Sequence, residues 1–318
     1  NASFSQSNGS LFTVNAIAPY KAFVEKNISI PRTLKVGLDA GNGTAGVVAV
    51  PVIKNLNCQV HDLYCDMDGT FPNHEADPTV ASNLNDLIKL IREKSLDVGI
   101  AYDGDGDRIG VVDEKGNIVY GDKLVIIFAR EILSRKPGVT FISDVKCSKT
   151  LFDDIEKHGG RAIMWKTGHS LIKQKMRLEK AELAGELSGH MFFSDRFLGF
   201  DDAIYASCRL IEILSKTGKR ISDLLSDVPQ TYSTPEIRVS CPDEKKFVVV
   251  AKVTDFFRQC HDVIDIDGVR VLFEDGWGLI RASNTQPALV LRFEAMSEKR
   301  LAEIRELIES ALEKIKKD

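Results

Sequence analysis

The sequence predicts two consecutive α/β domains with mixed sheets, followed by a C-terminal α+β domain with an antiparallel sheet. Short apolar segments alternate with helix-like segments through the first two thirds of the chain, a pattern typical of α/β units. Near the C-terminus, several strand-like segments follow one another instead. A length of 318 residues favours two or three domains. We therefore predict domains at residues 1–117, 118–232 and 233–318.

The first predicted domain shows both kinds of hydrophobic periodicity. Leucine and isoleucine recur at helical spacing between Leu84 and Ile91, whereas residues 34–39 and 97–102 are short and apolar, as in buried strands. The predicted elements in chain order are a helix at 14–26, a strand at 34–39, a helix from residue 45, a strand at 59–64, a helix at 81–94, and strands at 97–102 and 109–112.

The second predicted domain continues the alternation, and the third departs from it. The second contains a helix at 122–133, a strand at 139–143, a helix at 148–158, a strand at 161–165, and helices at 170–177 and 202–216. Residues 229–235 begin and end with proline and predict a linker. The third contains strands at 236–240, 269–274, 277–282 and 288–294, with helices at 244–259 and 298–317.

Composition excludes several classes of protein. A formal net charge of −4 gives no indication of nucleic-acid binding. No apolar run is long enough to span a bilayer, and the first residues show no signal-peptide pattern, so we expect no membrane partner. The six cysteines are widely separated, without a C-x-x-C pair, which indicates reduced thiols. The sequence therefore predicts a cytoplasmic protein.

The run DGDGDR at residues 103–108 is the strongest single signal. An extended backbone would send Asp103, Asp105 and Asp107 to one side, where their oxygens suit a hard cation such as Mg²⁺. Arg108 would offer a fork to a phosphate beside that ion. An EF-hand is disfavoured because its sixth position requires glycine and here is Arg108. A solvated acidic turn remains the structural alternative.

A glycine-rich turn follows the first predicted strand. Gly41, Gly43 and Gly46 match G-x-G-x-x-G, with Asp62 downstream, so a dinucleotide-dependent oxidoreductase remains a remote alternative. Pro51 lies inside the predicted helix and weakens that interpretation. A structural turn close to the active site is the favoured interpretation.

Two further segments follow predicted strands of the second domain, at the strand ends where α/β sheets bind ligands. His169, within residues 165–170, would act in proton transfer or contact a phosphate, whereas Thr167 or Ser170 would otherwise cap a helix. Lys146, within residues 144–148, would contact an anion, although an isolated lysine is usually solvated.

Two polar loops have the composition of sugar and phosphate sites. Glu186 and Ser188 alternate, so a carboxylate and a hydroxyl would face neighbouring sugar hydroxyls, with His190 as a general acid or base. Residues 281–287, RASNTQP, combine arginine, hydroxyls and an amide, as a phosphate cradle does, and Arg292 lies on the next strand. A polar hairpin loop is the alternative for this segment.

Taken together, these segments resemble the α-D-phosphohexomutases, in their phosphomannomutase/phosphoglucomutase branch. The matching motifs are DGDGDR, DVKCS, TGHS, GELSGH and RASNTQP, in the family's order and across most of the chain. The phosphoglucosamine mutase branch is similar, but its last loop typically differs from RASNTQP. The family also carries a phosphorylated serine in an N-terminal domain, in a T-x-S-H-N-P-like loop that these residues do not contain. The resemblance therefore implies a chain without that domain, inactive alone.

The resemblance implies interconversion of hexose 1-phosphate and hexose 6-phosphate through a phosphoserine and a hexose 1,6-bisphosphate. The expected substrates are glucose or mannose phosphates, and a non-catalytic sugar-phosphate-binding fragment is the alternative. The implied metal ligands for Mg²⁺ are Asp103, Asp105 and Asp107. The implied catalytic residues are Arg108, Lys146, His169 and His190. The implied substrate-binding residues are Thr167, Gly168, Glu186, Ser188, Arg281, Ser283, Asn284, Thr285 and Arg292.

Overall fold

A computed structural model describes residues 9–317, and the side chains of residues 9–316, as three sheets with helices packed against them. Residues 1–8 of the first predicted domain and Asp318 of the last lie outside the described part. Two sheets are mixed and the C-terminal sheet is antiparallel, which confirms the predicted fold class. The predicted helices and strands are present, with ends shifted by a few residues.

The first sheet has five strands in the order β2-β1-β3-β4-β5. Strand β1 is parallel to β2 and β3, so the carboxyl ends of β1 and β3 meet at one edge. The turn that follows β1 and the acidic loop that follows β3 are thereby neighbours. The strands are β1 (Lys35–Asp39), β2 (Gln59–Leu63), β3 (Val98–Tyr102), β4 (Ile109–Val112) and β5 (Ile118–Val119). The helices are α1 (Ile17–Asn27), α2 (Gly46–Asn55), a 3-10 helix (Ala81–Leu84) and α3 (Asn85–Lys94).

The second sheet has four strands in the order β7-β6-β8-β9. Strands β7 and β8 are both parallel to β6, so three polar loops leave the sheet at the same edge. The strands are β6 (Thr140–Asp144), β7 (Arg161–Trp165), β8 (Leu183–Gly185) and β9 (Met191–Phe193). The helices are α4 (Gly121–Arg135), α5 (Lys149–Lys157), α6 (His169–Glu179), α7 (Ala203–Thr217) and α8 (Ile221–Leu224).

The third sheet is antiparallel, in the order β10-β15-β14-β13-β12, with β11 also paired to β15. Its apolar face packs on α9 and α10 through residues such as Val253, Phe257 and Ile308. The strands are β10 (Tyr232–Ser233), β11 (Ile237–Ser240), β12 (Val263–Ile264), β13 (Val269–Phe273), β14 (Gly276–Ala282) and β15 (Ala288–Ala295). The helices are α9 (Asp243–Arg258) and α10 (Glu298–Lys317). The predicted linker at 229–235 is thus partly strand, because β10 pairs with β15.

The first two α/β units share one hydrophobic core. A single buried cluster includes Ile100 and Val111 of the first sheet together with Phe128 and Phe193 of the second unit. Helix α7 belongs by sequence to the second unit but also packs on α2 and β4 of the first. Periodicity predicts only that a helix has an apolar face, not which neighbours cover it, so this sharing was not predicted.

The C-terminal unit is docked on the second unit through buried polar and aromatic contacts. The Arg270 guanidinium lies 3.7 Å from the centre of the Trp277 ring and donates from Nη1 to the carbonyl oxygens of Val145 (2.7 Å) and Cys147 (2.8 Å). Burial lowers the pKa of Arg270 to about 10. Glu294 reaches the start of α5, where Ser148 Oγ donates to its Oε1 at 2.9 Å. Loops of the two units are therefore held together.

Ser148 is the N-cap of α5 as well as a partner of Glu294. Its Oγ accepts from the Thr150 backbone N–H at 3.1 Å. We expect Ser148→Ala to lower the free energy of unfolding by about 1–2 kcal/mol, since alanine removes both bonds. Ser148→Gly is the matched variant, because glycine is tolerated at N-caps and isolates the loss of the Glu294 contact. Urea denaturation measures both, and an alanine variant as stable as wild type would contradict the expectation.

Candidate active site

The acidic loop between β3 and β4 brings the three aspartates together. One oxygen of each of Asp103, Asp105 and Asp107 lies within 4.8 Å of the others. Our expectation of an extended backbone is wrong. The loop bends at residues 104–106, and the Gly106 backbone N–H donates to the Asp103 carbonyl oxygen. Asp103 Oδ1 accepts from the backbone N–H groups of Gly106, Asp107 and Arg108 at 3.0–3.1 Å. The carboxylates thus converge because the loop curls around a buried aspartate.

The acidic loop crowds negative charges together, and a bound cation would relieve their repulsion. Burial and the neighbouring carboxylates of Asp103 and Asp105 raise the pKa of Asp107 to about 6, against the opposing effect of His190. Burial alone would raise the pKa of Asp103, yet hydrogen bonds from Arg108 lower it below its usual value. The triad offers only oxygen ligands, which suit Mg²⁺. The residues therefore fit that ion.

Arg108 is held in place from two sides. Its Nε donates to Asp103 Oδ2 at 2.7 Å, and its Nη1 donates to Asp77 Oδ1 at 3.2 Å. Asp77 lies in the long polar segment after β2, for which the sequence analysis predicted no role. The guanidinium is partly exposed beside the aspartate triad, so its orientation is set before any ligand arrives.

The glycine-rich turn after β1 supports the acidic loop. Thr44 donates from its backbone N (2.9 Å) and its Oγ1 (3.2 Å) to the Gly104 carbonyl oxygen. A Cβ at Gly43 would lie 2.7 Å from that same oxygen. The close approach that Gly43 permits is therefore used by the backbone of the acidic loop, as expected for a structural turn near the site.

Two histidines from different loops of the second unit stack beside the acidic loop. The rings of His169 and His190 have centres 5.9 Å apart and an interplanar angle of 23°. His190 Nδ1 lies 3.2 Å from Asp201 Oδ2 and 3.6 Å from Asp107 Oδ1. Burial would lower the pKa of His190, but the facing carboxylates of Asp201, Asp107 and Glu186 raise it overall. His190 thus joins the second unit to the acidic loop.

A fully buried aspartate, Asp144 at the end of β6, ties three loops of the second sheet together. Its Oδ2 accepts from Thr167 Oγ1 at 3.1 Å, and its Oδ1 accepts from the Leu187 backbone N–H at 3.2 Å. The Cys147 thiol also donates to Oδ1. Thr167 is therefore held by Asp144, and the cap of α6 is Gly168 rather than Thr167 or Ser170.

Glu186 and Ser188 lie side by side because the chain turns at residues 187–188, where the Gly189 N–H donates to the Glu186 carbonyl oxygen. Ser188 Oγ donates to Glu186 Oε2 at 3.1 Å, and the Gly168 backbone N–H donates to Glu186 Oε1 at 2.8 Å. Burial and the charge of Asp144 raise the pKa of Glu186. The loops at 167–170 and 185–190 therefore form one surface, with Gly168 in it.

Lys146 is buried rather than solvated, and it pairs with the C-terminal unit. Its Nζ donates to Glu236 Oε1 at 2.7 Å and lies 3.7 Å from Asp144 Oδ2. Desolvation would lower the pKa of Lys146, but these two carboxylates raise it overall. A charged ammonium is thus present close to Thr167 and Glu186.

Residues 281–287 run from the end of β14 to the start of β15, and both Arg281 in this segment and Arg292 on β15 are buried. Arg281 Nε donates to Asp267 Oδ2 at 2.9 Å, while its Nη2 has no hydrogen-bond partner among the described residues. Arg292 Nε on β15 likewise has none there. Ser283 Oγ accepts from the backbone N–H groups of residues 285 and 286, and Asn284 and Thr285 are exposed. This loop presents unused donors, as an anion site would.

Four acidic residues that position these loops were not singled out from the sequence. Each accepts from, or lies beside, a predicted site residue of another loop. Their only signal is that each lies close to a strand end or within a polar loop, which many aspartates share. The four residues are Asp77, Asp144, Asp201 and Asp267.

Comparisons with known proteins agree with this architecture. Models of the phosphoglucomutase/phosphomannomutase α/β/α domain II, α/β/α domain III and C-terminal domain match residues 15–116, 120–232 and 236–311. The three sheets therefore correspond to three consecutive domains of one protein family. The chain belongs to the phosphoglucomutase/phosphomannomutase family.

Several relatives are similar over nearly the whole chain. The phosphomannomutase/phosphoglucomutase of Pseudomonas putida is 48% identical over 305 residues, which are 96% of this chain and 66% of the relative. That of Pseudomonas syringae pv. tomato is 47% identical over 312 residues, 98% of this chain and 67% of the relative. A crystal structure of a family protein from Burkholderia thailandensis superposes with a TM-score of 0.87 at 43% identity, covering 95% of this chain and 65% of that one.

The chain thus spans about two thirds of the length of these relatives. An Aspergillus fumigatus N-acetylphosphoglucosamine mutase, solved with GlcNAc-6P and magnesium, shares the fold at 16% identity with a TM-score of 0.66, over 93% of this chain and 68% of that one. Across residues 9–317, no helix is both long enough and apolar enough to cross a membrane.

Proposed function

We propose that these residues form the metal-, sugar- and phosphate-binding parts of a phosphohexomutase that interconverts hexose 1-phosphate and hexose 6-phosphate. The observation that carries the proposal is that polar loops from all three units meet. His190 lies against Asp107 of the acidic loop, and Thr167 and Arg281 share the Asp267 carboxylate. The names of the most similar relatives support the same activity.

Asp103, Asp105 and Asp107 would hold Mg²⁺ at the reacting end of the site. The ion would supply positive charge beside a transferring phosphoryl group, where catalysis depends on positioning and electrostatic stabilisation. Arg108, fixed by Asp103 and Asp77, would direct its remaining donors to the same phosphoryl oxygens.

Glu186 and Ser188 would recognise two neighbouring hydroxyls of the hexose, helped by the backbone of Thr167 and Gly168. The carboxylate and the hydroxyl already lie within hydrogen-bond distance of each other, so they form one compact recognition surface. The hydroxyls in the middle of the ring occupy similar positions in the two orientations that would bring either the 1-position or the 6-position to the reacting end. Such a surface can therefore accept both the 1-phosphate and the 6-phosphate.

Arg281, Ser283, Asn284, Thr285 and Arg292 would hold the phosphate that is not reacting. Arg281 Nη2 and Arg292 Nε are buried and have no partner among the described residues, whereas a charged group so placed is normally satisfied by one. A phosphate dianion supplies acceptors for several such donors at once. The loop is thus suited to an anion of this charge and size.

Three side chains would transfer protons or supply positive charge near the sugar, namely His190, His169 and Lys146. The raised pKa of His190 lets it keep its proton to higher pH than a free histidine, so it can give that proton to a sugar oxygen and take it back. The His169 ring stacks on the His190 ring and is more exposed than it. Lys146, buried beside Asp144, would supply a positive charge.

The serine that carries the transferred phosphoryl group is proposed to lie outside these 318 residues. We therefore expect the chain to bind phosphosugar without converting glucose 1-phosphate to glucose 6-phosphate. A coupled assay with glucose 6-phosphate dehydrogenase measures this directly. Turnover at a rate of the order of 1–100 per second, as in ordinary enzymes, would contradict the proposal that the phosphoryl-carrying serine lies outside these residues.

Calorimetric titration tests the binding half of the proposal. Glucose 6-phosphate should bind at one site per chain and at least about tenfold more tightly than inorganic phosphate, since the sugar loop adds hydrogen bonds of about 1 kcal/mol each. Equal affinities for the two ligands would mean that Glu186 and Ser188 take no part. Unphosphorylated glucose is the control for the phosphate loop.

A further inference from the structure

Asp267 occupies the hairpin between β12 and β13 and touches two separate parts of the site. Its Oδ2 accepts from the Thr167 backbone N–H at 3.1 Å and from Arg281 Nε at 2.9 Å. The first donor belongs to the second unit and the second donor to the C-terminal unit. One carboxylate oxygen therefore joins the loop beside the sugar-recognition residues to the phosphate loop.

The hairpin is built so that Asp267 must lie there. The next residue, Gly268, has a φ of +82°, and a Cβ on it would lie 2.3 Å from the Ile280 carbonyl oxygen and 2.7 Å from Arg281 Cα. Only glycine allows the turn to approach β14 so closely. On the other side, Ile266 packs against the buried cluster of Val145 and Trp277. Both neighbours of Asp267 are thus anchored.

The bond to Asp267 uses Nε of Arg281 and not its terminal nitrogens. Nη2 is buried without a partner among the described residues, so the carboxylate fixes the plane of the guanidinium without occupying its outer donors. We propose that Asp267 is a positioning residue that aims Arg281 at the phosphate and couples this aim to the Thr167 loop. The proposal rests on the proposed function, because it assumes that Arg281 binds phosphate.

A positioning role predicts a change in phosphosugar affinity that is opposite to the change that charge alone predicts. Removing an anion close to a phosphate site should strengthen phosphate binding if charge alone mattered. A positioning role requires that Asp267→Ala weaken glucose 6-phosphate binding, by about tenfold for the loss of a charged hydrogen bond. Asp267→Asn keeps a carbonyl oxygen for both donors and should stay within about threefold of wild type.

The experiment combines calorimetry with amide hydrogen exchange on the 318-residue chain. Asp267→Ala should bind more weakly and should speed exchange of the Thr167 amide without ligand, whereas Asp267→Asn should resemble wild type in both. Asp265→Ala is the matched control, because this exposed carboxylate pairs with Arg258 and with no other cationic side chain in the described part of the chain. Thermal unfolding of each variant checks the fold.

Two results would overturn the positioning role. One is equal or tighter glucose 6-phosphate binding by a folded Asp267→Ala chain, and the other is unchanged exchange at Thr167. A wild-type chain that binds no phosphosugar would instead contradict the proposed function. The exchange measurement needs no ligand, so the two failures are distinguishable.

Discussion

Replacing Arg281 by alanine is expected to weaken glucose 6-phosphate binding by about a hundredfold, the effect of losing a buried, charge-assisted hydrogen-bond pair of about 2–3 kcal/mol. The side chain is 7% exposed, and its bond to Asp267 uses only Nε. Its Nη2 has no hydrogen-bond partner among the described residues and is therefore an unused donor of the phosphate loop.

Arg281→Lys separates charge from geometry. Lysine keeps the positive charge but loses the planar fork, so we expect an affinity between those of wild type and alanine. Arg305→Ala removes the same charge from exposed α10, where the guanidinium pairs with Glu309, and should leave binding unchanged. Calorimetric titration of all three variants measures the effect. Binding by Arg281→Ala within twofold of wild type would remove this loop from the phosphate site.

Replacing Asp107 by asparagine is expected to abolish divalent-metal binding and yet to stabilise the metal-free chain. The folded-state pKa of about 6 exceeds the ordinary aspartate value of 3.8, so the ionised carboxylate destabilises the fold above pH 6. This cost fades as the pH falls from 6 to 4, where the carboxyl is protonated in the folded state and about half protonated in the unfolded chain. Because the side chain is 32% exposed, we expect a gain of only about 1 kcal/mol at pH 7.5.

Urea denaturation of the wild-type and Asp107→Asn chains at pH 7.5 and pH 4 tests the expected gain in stability. The stabilisation should appear at the higher pH and be much smaller at the lower one. Asp105→Asn removes another carboxylate of the triad from an exposed position, so it should weaken metal binding with a smaller change in stability. An Asp107→Asn chain that is less stable than wild type at pH 7.5 would show that the carboxylate repulsion is not the dominant effect.

The same pKa predicts how metal affinity varies with pH. A proton and a divalent cation compete for Asp107, so Mn²⁺ affinity, measured by its paramagnetic effect on water relaxation, should be constant above pH 7 and fall by about tenfold per unit below pH 6. A pH-independent affinity between 5 and 7 would mean that Asp107 is not a ligand.

The sequence predicted the elements and the loops well, for identifiable reasons. Strands such as β1 and β3 are short, apolar and buried, and the polar motifs stand directly after them, so their position at the sheet edges followed from topology. The acidic motif stays a predicted cation site, and the predicted reason for the convergence of its carboxylates, an extended backbone, was wrong. A two-residue period cannot distinguish a strand from a curled loop when glycines separate the acids.

What the sequence could not predict is the tertiary support of the site. Asp144 and Asp267 act through partners that are distant along the chain, Leu187 and Arg281 among them, and no local pattern identifies such pairs. The burial of Lys146 was missed because its partner, Glu236, belongs to another unit. The very short strands β10 and β12 have too few residues to show a period.

Competition between glucose 1-phosphate and glucose 6-phosphate tests the central claim most directly, because a phosphohexomutase site must hold the same sugar in both orientations. We predict that each ligand binds the 318-residue chain with a stoichiometry of one and that saturation with either displaces the other completely in calorimetric titration. Glucose 1,6-bisphosphate should displace both. Simultaneous binding of the two monophosphates, or binding of neither, would contradict the account.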